Sequence, residues 1–419
     1  MALLRWMRRR AKCCCMTCCG VFVFIIASLA LFGRYLYKKE HCTDVESKQI
    51  IEGLCDLYSQ GEVTGSLCSA LCESRDLHYQ TCTNYRKGKK VLFLTCDSCI
   101  PGKTSVSVVL KMKTDLSERD QLDMSHLELD TEQRQKDYVR EVEFLVKNSF
   151  MFLRHKDMSK HKDILSFAWG WNFHEYLKNS NNRQKAVVVA SSSLWSLTEQ
   201  QEYLMSRDLY NYSFIPRIYG TCGPAYVVEN TQTLGNYEFE MFKGWPHSWK
   251  ERAAIALKLI HLIKDLDNLG QKLHLCDIKP DNFGLRDNGE VTLIDTDCAM
   301  FERNLLEQFN HTNCTKHDDC DFFDCRGFCD TKTKQCLLER TNNNMQSLCE
   351  DVFVGYFPKM PTGLLRDPPG AIKVELFKLL QECSNPVVET ERHNARQHAQ
   401  PNTVKKLQEL LLRSIVDLS

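Results

Sequence analysis

The fold is decided by the stretch His274-Leu275-Cys276-Asp277-Ile278-Lys279-Pro280-Asp281-Asn282, followed closely by Val291-Thr292-Leu293-Ile294-Asp295-Thr296-Asp297. It places a carboxylate at Asp277, an amide five residues later at Asn282, and a second carboxylate thirteen residues further on at Asp295. Two short strands lie between them, and their turn at Asp287-Asn288-Gly289 predicts a hairpin that returns Asn282 to the side of Asp295. This order and spacing is typical of sites that transfer a phosphoryl group from ATP, where both residues bind one Mg²⁺ ion.

Neighbouring side chains extend this predicted site. Asp277 would act as the base or orient the acceptor hydroxyl, and Lys279 would neutralise charge on the transferring phosphoryl group. Asn282 and Asp295 would bind the metal, and Asp297 could add a second carboxylate. The alternative is that Asp277 and Asn282 only hydrogen-bond within a tight turn, but the joint pattern favours the catalytic interpretation.

Binding of ATP also requires a lysine on the third strand of a β-rich lobe and a glutamate on the following helix that holds this lysine. Lys111 ends an apolar, β-branched run and fits the strand pattern, and Lys113 on the same face is the second choice. Counting back from the predicted strand Ile215–Tyr219 places the glutamate at Glu202 rather than at Glu199. The alternative is that these are surface side chains without a partnership.

The order of predicted elements indicates a two-lobed, protein-kinase-like fold of the α+β class, with a β-rich N-lobe and a helical C-lobe. Strands come first, then a charged helical insertion over residues 113–193, a helix, two strands, a long apolar helix and the catalytic hairpin. The hinge is expected near residues 229–234. The predicted strands are Val91–Leu94, Val106–Met112, Ile215–Tyr219 and Ala225–Val228, and the predicted helices are Thr198–Leu209 and Ser248–Leu269.

Three features depart from an ordinary protein kinase. Leu275-Cys276 replaces the His-Arg that usually precedes the catalytic aspartate, so the arginine that would contact a phosphorylated activation loop is missing. Asp295-Thr296-Asp297 replaces Asp-Phe-Gly. The Gly-rich loop that covers the phosphates is absent over residues 94–106, where Gly102 is the only glycine and Lys103 could compensate. Regulation by loop phosphorylation is therefore not expected.

The N-terminus predicts a membrane anchor. A basic tail at residues 1–12 precedes twenty-one residues without charge, from Cys13 to Gly33, which span about 30 Å as a helix. A cleaved signal peptide is the alternative, but the apolar run is long and lacks a clear cleavage site. Residues 13–37 are therefore expected to form a type II transmembrane signal anchor with the tail cytosolic and the rest lumenal. The expected location is the endoplasmic reticulum membrane, with the Golgi as the alternative.

Cysteine usage agrees with a lumenal chain. Seventeen of the 22 cysteines follow the anchor, a density that suits an oxidising compartment. Residues 42–84 form a predicted cysteine-rich cap, which is too short to build a core unaided. Because seventeen is odd, at least one thiol should stay free or pair between chains, and Cys276 and Cys298 beside the predicted site are the candidates for free thiols.

A second cysteine cluster, residues 314–336, lies where an activation segment would run. A zinc site is disfavoured because paired Cys-x-x-Cys spacings are lacking. A Ca²⁺ loop is disfavoured because the acidic residues do not follow the register of such loops. Disulfide staples that fix the segment are the favoured interpretation.

Composition adds further constraints. Lys+Arg and Asp+Glu are balanced at 54 each, so no nucleic-acid partner is expected. A hydrophobic content of 43% is that of a globular protein. Three acceptor sequons, at Asn211, Asn310 and Asn313, predict a glycoprotein.

With these residues placed, the chain resembles the divergent protein kinase domain 1 family, which are cysteine-rich type II membrane proteins of the endoplasmic reticulum with a kinase-like lumenal domain. The resemblance covers nearly all of the chain and implies a kinase-like domain over residues 85–419. Some relatives carry a Ca²⁺-binding EF-hand, but Asn179–Ala186 here has no carboxylate, so Ca²⁺ regulation is not expected. The matching features are the basic N-terminus and anchor, the cap, His274 to Asn282, the 314–336 cluster and Asn342-Asn343-Asn344.

The leading hypothesis is a lumenal phosphotransferase that uses ATP and Mg²⁺ (or Mn²⁺) and acts on an unidentified secretory-pathway protein. A kinase for a sugar or another small molecule is the second hypothesis, because Leu293–Ala299 is also similar to aminoglycoside-type kinases. The third is a pseudokinase scaffold that binds partners without turnover. The missing Gly-rich loop favours it, and the presence of Lys111, Asp277, Asn282 and Asp295 opposes it.

Overall fold

The computed structural model describes most of the chain that follows the predicted anchor. The described residues are 42–83, 89–100, 102, 104–113, 122, 129–154, 158, 162–237, 247–310, 312–355, 363–384 and 400–416. The predicted basic tail and signal anchor, residues 1–37, lie outside these ranges. Within the described ranges, no helix is both long enough and apolar enough to cross a membrane.

A five-stranded antiparallel sheet forms the N-lobe, with its strands in the order β1-β2-β3-β5-β4. The strands are β1 Leu77–Thr83, β2 Lys90–Cys96, β3 Val106–Met112, β4 Ile218–Cys222 and β5 Ala225–Glu229. Strands β2 and β3 are rich in Val, Leu and Phe, which suit a pleated and half-buried surface. All four predicted strands are present, although β4 begins later than expected, and β1 is additional.

Side chains of β3 alternate between two cores. Val108, Leu110 and Met112 are buried against the cysteine-rich segment, whereas Val109 belongs to the larger core on the other side of the sheet. Because side chains of a strand point alternately to opposite faces, Lys111 lies on the same face as Val109. The sheet therefore directs Lys111 toward the cleft between the lobes.

The cysteine-rich segment packs on the outer face of this sheet. It forms helices α1 (Asp44–Ser59) and α2 (Cys68–Cys72) before β1. Four disulfides fix this side of the lobe: Cys42–Cys82, Cys55–Cys72, Cys68–Cys222 and Cys96–Cys99.

The cap predicted at residues 42–84 and the kinase-like domain predicted from residue 85 share one sheet. Strand β1 belongs to the cap but is the edge strand of the N-lobe sheet. Cys68 of the cap is bonded to Cys222 in β4. The physical reason is the short length of the segment, which cannot bury a core alone and shares that of the sheet.

Helices occupy the predicted insertion and continue beyond it. They are α3 Glu132–Arg154, α4 Ile164–Trp169, α5 Phe173–Asn179, α6 Arg183–Thr198 and α7 Gln201–Asp208. The predicted end of the insertion at residue 193 falls inside α6. Thr198 is the last residue of α6, and its hydroxyl donates to Trp195 O at 2.9 Å. The helix predicted over Thr198–Leu209 therefore begins only at Gln201, as α7.

The chain passes between the lobes after β5. Strand β6 (Gln232–Thr233) pairs with β8 (Phe283–Leu285) of the C-lobe, at the hinge expected near residues 229–234. The Arg286 guanidinium donates from Nε to Glu229 Oε1 at 3.0 Å and from Nη2 to Glu229 Oε2 at 2.9 Å. Such a two-pronged contact fixes orientation as well as distance, so it joins the end of β5 to the catalytic hairpin.

The long apolar helix expected over Ser248–Leu269 is present as α8, Trp249–Asp267. Ser248 Oγ accepts from Glu251 N at 3.3 Å, and Glu251 Oε2 accepts from Ser248 N at 2.9 Å, which is a reciprocal capping box. Helix α8 packs against α12 (Pro401–Val416), which in turn packs against α11 (Lys373–Ser384). These helices build the core of the C-lobe beneath the catalytic hairpin.

The remaining elements of the C-lobe are short. Strand β7 pairs with β10, and β8 pairs with β9. The strands are β7 Leu273–Leu275, β9 Val291–Leu293, β10 Ala299–Phe301, β11 Cys329–Asp330 and β12 Gln335–Cys336. The helices are α9 Glu302–Asn310 and α10 Asn344–Ser347, and a π-helix covers Leu348–Gly355. Turns of 3₁₀ helix cover Leu234–Tyr237, Pro280–Asn282 and His317–Cys320.

Four more disulfides fix the C-lobe, and three of them involve residues 314–336, which confirms the disulfide interpretation of that cluster. The prediction of a free thiol at Cys298 is confirmed among the described residues. The same prediction for Cys276 is wrong, because this residue is bonded to Cys325. The three sequon asparagines are exposed. The four bonds are Cys276–Cys325, Cys314–Cys329, Cys320–Cys336 and Cys349–Cys383.

Candidate active site

The predicted hairpin is present and places the two candidate metal-binding residues side by side. Its tight turn contains Gly289 with φ of +79°, and the Gly289 N–H donates to Arg286 O at 2.8 Å. Glycine adopts such a positive φ without the steric cost that a side chain would add. After the second strand, Ile294 N donates to Asn282 O at 3.0 Å. Asp295 therefore follows directly beside Asn282.

Asp277 is held by two neighbours in the same loop. Its Oδ2 accepts from Asn282 Nδ2 at 2.9 Å and from Lys279 Nζ at 2.6 Å. The Asn282 amide nitrogen also donates to Asp277 O at 2.8 Å, so it is the amide oxygen that can face a cation. Asp277, Asn282 and Asp295 line one small cavity together with Cys298. Asp277 and Asn282 thus hydrogen-bond to each other within the turn and also lie beside Asp295, so the structural and the catalytic interpretations of this turn are compatible.

Lys111 and Glu202 meet in the cleft between the lobes. Lys111 Nζ is 2.6 Å from Glu202 Oε1, and it also donates to the backbone oxygen of Ile294. Both side chains are buried. Lys113 is exposed instead, and its Nζ donates to the backbone oxygen of Glu199 at 3.3 Å. Of the alternatives left open by the sequence, the structure brings Lys111 and Glu202 together.

Three carboxylates converge beside this pair. One oxygen from each of Glu202, Asp295 and Asp297 lies within 4.8 Å of the other two. The ammonium of Lys89 lies among them, at 3.1 Å from Asp295 Oδ1 and 2.9 Å from Asp297 Oδ2, and it also contacts Glu202 Oε2. Only 12% of the Lys89 side chain is exposed. Lys89 is thus a residue of the site that the sequence patterns do not reveal.

The charges in this carboxylate cluster shift one another's pKa. Burial alone would lower the pKa of Lys89, but the three carboxylates, Glu202 first, outweigh burial and raise it. Burial would raise the pKa of Asp295, but Lys89 and Lys111 outweigh it and lower the pKa of this carboxyl. Burial raises the pKa of Asp297, although Lys89 opposes the change. The cluster is an environment that strongly stabilises a positive charge.

The residues present fit the expected metal. Mg²⁺ and Mn²⁺ prefer carboxylate and amide oxygens, which Asp295, Asp297 and Asn282 supply. An ammonium held by two of these residues shows that the donor set already binds a cation. Lys111, and Lys279 at the other end of the cleft, suit the negative charge of phosphates.

A disulfide and one aspartate fix the backbone around Asp277. Cys276, directly before it, is bonded to Cys325. Asp324, the neighbour of Cys325, donates through its N–H to Cys276 O at 2.8 Å and accepts from Ile278 N through Oδ2. In an ordinary protein kinase the corresponding arginine contacts a phosphorylated activation loop. Here the link between the catalytic loop and that segment is covalent.

The Asn342-Asn343-Asn344 run fixes the strand that leads into the same loop. Asn344 Oδ1 accepts from Leu275 N at 2.9 Å, and its Nδ2 donates to Leu273 O at 2.7 Å. Buried Arg340 donates to the same Asn344 oxygen at 2.7 Å. Burial lowers the pKa of Arg340 to about 9. The resemblance named this run, and the contacts explain what it does: Asn344 hydrogen-bonds to the backbone at both ends of β7.

The connection in which the sequence lacks a Gly-rich loop is attached to the sheet away from Lys111. The connection within residues 94–106 joins β2 to β3 at the end where Cys96 pairs with Val106. Val106 is five residues from Lys111 along β3, which at about 3.3 Å per residue is roughly 17 Å. This connection therefore leaves the sheet at the end of β3 that is remote from Lys111.

The connection beside the site is the one between β1 and β2. Val91, the second residue of β2, pairs with Lys111, so the chain enters β2 next to the cleft. Of the residues between β1 and β2, the structure describes Lys89. Gly102, in the other connection, is exposed, and Lys103 lies outside the described residues.

Two family models match the chain. Residues 5–159 match a model described as the N-terminal cysteine-rich endoplasmic-reticulum region of FAM69. Residues 194–386 match a model described as the protein-kinase domain of FAM69. The first match contains the cysteine-rich segment, Lys89 and Lys111. The second contains Glu202 and the whole catalytic hairpin from Asp277 to Asp297.

Proposed function

The chain belongs to the FAM69 family, the divergent protein kinase domain 1 family, and from this premise we propose that it is a phosphotransferase that uses ATP and Mg²⁺ or Mn²⁺. The acceptor is a hydroxyl group of a secretory-pathway protein. Eight disulfides support a lumenal location, because such bonds persist where thiols are oxidised. Residues 13–37 would anchor the chain as a type II protein of the endoplasmic reticulum membrane, with the Golgi as the alternative.

One observation carries this proposal: the buried Lys111–Glu202 pair contacts the backbone at Ile294, directly before Asp295. Lys111 and Ile294 are 183 positions apart in the sequence. A lysine held by a helix glutamate beside a metal-binding aspartate is the arrangement that positions ATP in protein kinases. A turn that is only structural around Asp277 does not require these distant residues to meet there.

The chain's own residues have distinct parts in this mechanism. Bound ATP and its metal would supply the transferring phosphoryl group and positive charge on its oxygens. Lys111 holds the phosphates, and Glu202 keeps its ammonium in place. Asp277 orients the acceptor hydroxyl and takes its proton, and Lys279 and Asn282 hold Oδ2 of Asp277 in place beforehand.

The catalytic loop is fixed without phosphorylation. Cys276 and Asp324 join this loop to the 314–336 segment through a disulfide, one backbone hydrogen bond and one hydrogen bond to the Asp324 side chain. In protein kinases, the contact at this position depends on a phosphate added to the activation loop. We therefore expect turnover that does not depend on phosphorylation of this protein.

A thermal-shift titration of the full-length protein in detergent tests the proposal. Wild type, Asp295→Ala and Asp277→Ala are compared with ATP and either Mg²⁺ or Mn²⁺. A ligand at a hundred times its Kd stabilises by about 2.7 kcal/mol, which corresponds to a rise in Tm of several degrees. Wild type and Asp277→Ala should show this rise, and Asp295→Ala should lose it because a metal ligand is missing.

Transfer of phosphate separates binding from catalysis in the same samples. Asp277→Ala should lower turnover by about 10²- to 10⁴-fold, because a positioned base contributes that much. Unchanged turnover in this variant would rule out the mechanism. Absence of a shift with any nucleotide would overturn the proposal as a whole.

A pseudokinase scaffold is the second candidate function, and one observation favours it. Lys89 fills the space between the carboxylates that would otherwise bind the metal. A scaffold of this kind would show no shift with nucleotide and would bind partners equally well as Asp277→Ala. A kinase for a sugar or another small molecule would instead show the shift and transfer phosphate to a small acceptor.

A further inference from the structure

Lys89 is the charged residue of the cleft that the proposed function leaves unexplained. It ends the connection between β1 and β2, next to the point where Val91 pairs with Lys111. Its ammonium contacts carboxylates from two separate parts of the chain, Glu202 on α7 and Asp295 with Asp297 after β9. A lysine that is 88% buried by such contacts is not a surface lysine.

The charges explain why a cation lies at this position. Lys111 Nζ is 2.6 Å from Glu202 Oε1, and Lys89 contacts Oε2 of the same carboxylate, so the two ammonium groups share Glu202. The three carboxylates and two ammonium groups together carry a net charge of −1. Without Lys89 the cluster would carry −2 in a partly buried site, which is unfavourable because water screens the repulsion between like charges only incompletely there.

An ammonium and a divalent cation cannot share this space. Mg²⁺ binds carboxylate oxygens at about 2.1 Å, and the Lys89 nitrogen already lies 3.1 Å from Asp295 Oδ1 and 2.9 Å from Asp297 Oδ2. A metal on these two oxygens would therefore lie against the ammonium, and the two positive charges would repel. Lys89 must leave the two aspartates before the metal binds, and of the three carboxylates only Glu202, which Lys111 also contacts, can then remain its partner.

We propose that Lys89 is a built-in counter-cation, which occupies the carboxylate cluster until a divalent metal and a nucleotide bind together. The joint binding of metal and nucleotide rests on the proposed function, because the anion that receives the displaced ammonium is the polyphosphate of the nucleotide. The connection that carries Lys89 is the one beside Lys111. The Lys89 ammonium would therefore contact the phosphates that a Gly-rich loop covers in other kinases. Metal alone binds weakly, and metal with nucleotide binds cooperatively.

Mn²⁺ binding, followed by the electron paramagnetic resonance signal of the free ion, tests this inference on the full-length protein in detergent. Each sample is titrated without nucleotide, with a non-hydrolysable ATP analogue and with adenosine. We expect wild type to bind Mn²⁺ at least tenfold more tightly with the analogue than alone, and adenosine to have no effect. Lys89→Met keeps an unbranched side chain that is one atom shorter and has no charge, and it should bind Mn²⁺ alone at least tenfold more tightly than wild type.

Two further variants control for charge and for position. Lys89→Arg keeps the cation and should retain the wild-type dependence on nucleotide. Lys113→Met removes an exposed lysine whose Nζ contacts the backbone oxygen of Glu199, and it should match wild type in every titration. If Lys113→Met tightened Mn²⁺ binding as much as Lys89→Met, general electrostatics would explain the effect and the inference would fall.

The outcomes separate this inference from the proposed function. Unchanged or weaker Mn²⁺ affinity in Lys89→Met overturns the counter-cation role, whereas nucleotide binding by wild type still supports the phosphotransferase. If Lys89→Met does not fold, equal Mn²⁺ affinity of wild type with and without the analogue overturns the role by itself. Tighter Mn²⁺ binding by Lys89→Met without any binding of the analogue supports the counter-cation and removes the phosphotransferase. Mn²⁺ binding by neither protein overturns both.

Discussion

The contacts that fix the backbone beside Asp277 differ in kind from those that Lys89 and Lys111 make on the other side of the cleft. On the acceptor side, which comprises residues 273–283 and the 314–351 segment behind them, a disulfide from Cys276 and two amide contacts from Asn344 fix the backbone. On the nucleotide side, which comprises β1 to β3 and Glu202, the contacts to the site are ion pairs of Lys89 and Lys111. Covalent and backbone contacts do not respond to ligands, whereas ion pairs exchange with a competing ion.

This difference indicates where the protein can be regulated. The acceptor side is complete before any ligand arrives, because Asp277 is hydrogen-bonded at Oδ2 and its neighbour is cross-linked. On the proposed mechanism, the nucleotide side rearranges when a metal displaces Lys89. We therefore expect control by metal and nucleotide levels rather than by phosphorylation of an activation loop.

Breaking the covalent link of the acceptor side should have the largest effect on stability. Cys276→Ser with Cys325→Ser opens a loop with a sequence separation of 49. The chain-entropy estimate for a loop of that length is about 4 kcal/mol. We expect the free energy of unfolding in urea to fall by about this amount. Turnover should fall as well, because the backbone around Asp277 is no longer fixed.

A disulfide of the nucleotide side is the matched control. Cys96→Ser with Cys99→Ser removes a bond with a sequence separation of 3, for which the same estimate gives about 2 kcal/mol or less. This pair should lose less stability and keep its turnover. Equal losses of turnover in both double variants would mean that the cross-link has no special part in holding the catalytic loop.

Removing the Asn344 amide should have the next largest effect. Asn344→Ala leaves Leu275 N and Leu273 O without their partner in a buried place, and an unsatisfied buried group costs about 1–3 kcal/mol. We expect a loss of about 3 kcal/mol in the free energy of unfolding. The Leu275 amide should also exchange its hydrogen faster.

The neighbouring residue provides the comparison for this variant. Asn343 has the same side chain but caps α10, where its Oδ1 accepts from Gln346 N at 2.8 Å. Asn343→Ala should therefore cost only about 1 kcal/mol, as for other N-cap residues. If the two variants lost the same stability, or if exchange at Leu275 were unaffected in Asn344→Ala, the contact with β7 would not be what fixes the loop.

The parts of the site that the sequence predicts are those with local signals. The turn at Asp287–Gly289 and the 3.6-residue period of α8 depend on residues within a few positions of each other. Glu202 could be located because a helix and the strand after it keep a nearly constant spacing. The odd number of cysteines indicates one unpaired thiol, but it does not distinguish Cys298, which is free, from Cys276, which is not.

The parts that the sequence does not predict depend on distant partners. Cys276 looks like an isolated thiol, and nothing in the spacing of cysteines identifies Cys325 as its partner. Lys89 belongs to a basic stretch in which nothing distinguishes it from Arg86, Lys87 or Lys90. Its carboxylate partners Glu202 and Asp295 are 113 and 206 positions away. Strand β1 is mostly exposed at the sheet edge, so it lacks the apolar alternation that would have joined the cysteine-rich cap to the sheet.

The smallest expected effect is a pH dependence that arises on the acceptor side. Asp351 lies on the π-helix behind the catalytic loop, where burial raises its pKa to about 8 and the carboxylates of Asp324 and Glu350 add to the shift. In the unfolded chain an aspartate ionises near pH 4. Between about pH 4 and pH 8 the folded protein thus binds more protons than the unfolded chain, and its stability falls as the pH rises through this window.

Asp351→Asn tests this origin, because asparagine resembles the protonated carboxyl at every pH. The Tm of the variant minus that of wild type should grow between pH 5.5 and pH 8.5 by a few degrees, corresponding to about 1–2 kcal/mol once solvent screening of a half-buried group is allowed for. Asp287→Asn, in the exposed hairpin turn, removes the same charge and should show a constant difference. A constant difference for Asp351→Asn too would mean that its carboxyl is already ionised, and that the acceptor side tolerates the three neighbouring negative charges of Asp324, Glu350 and Asp351 without protonation.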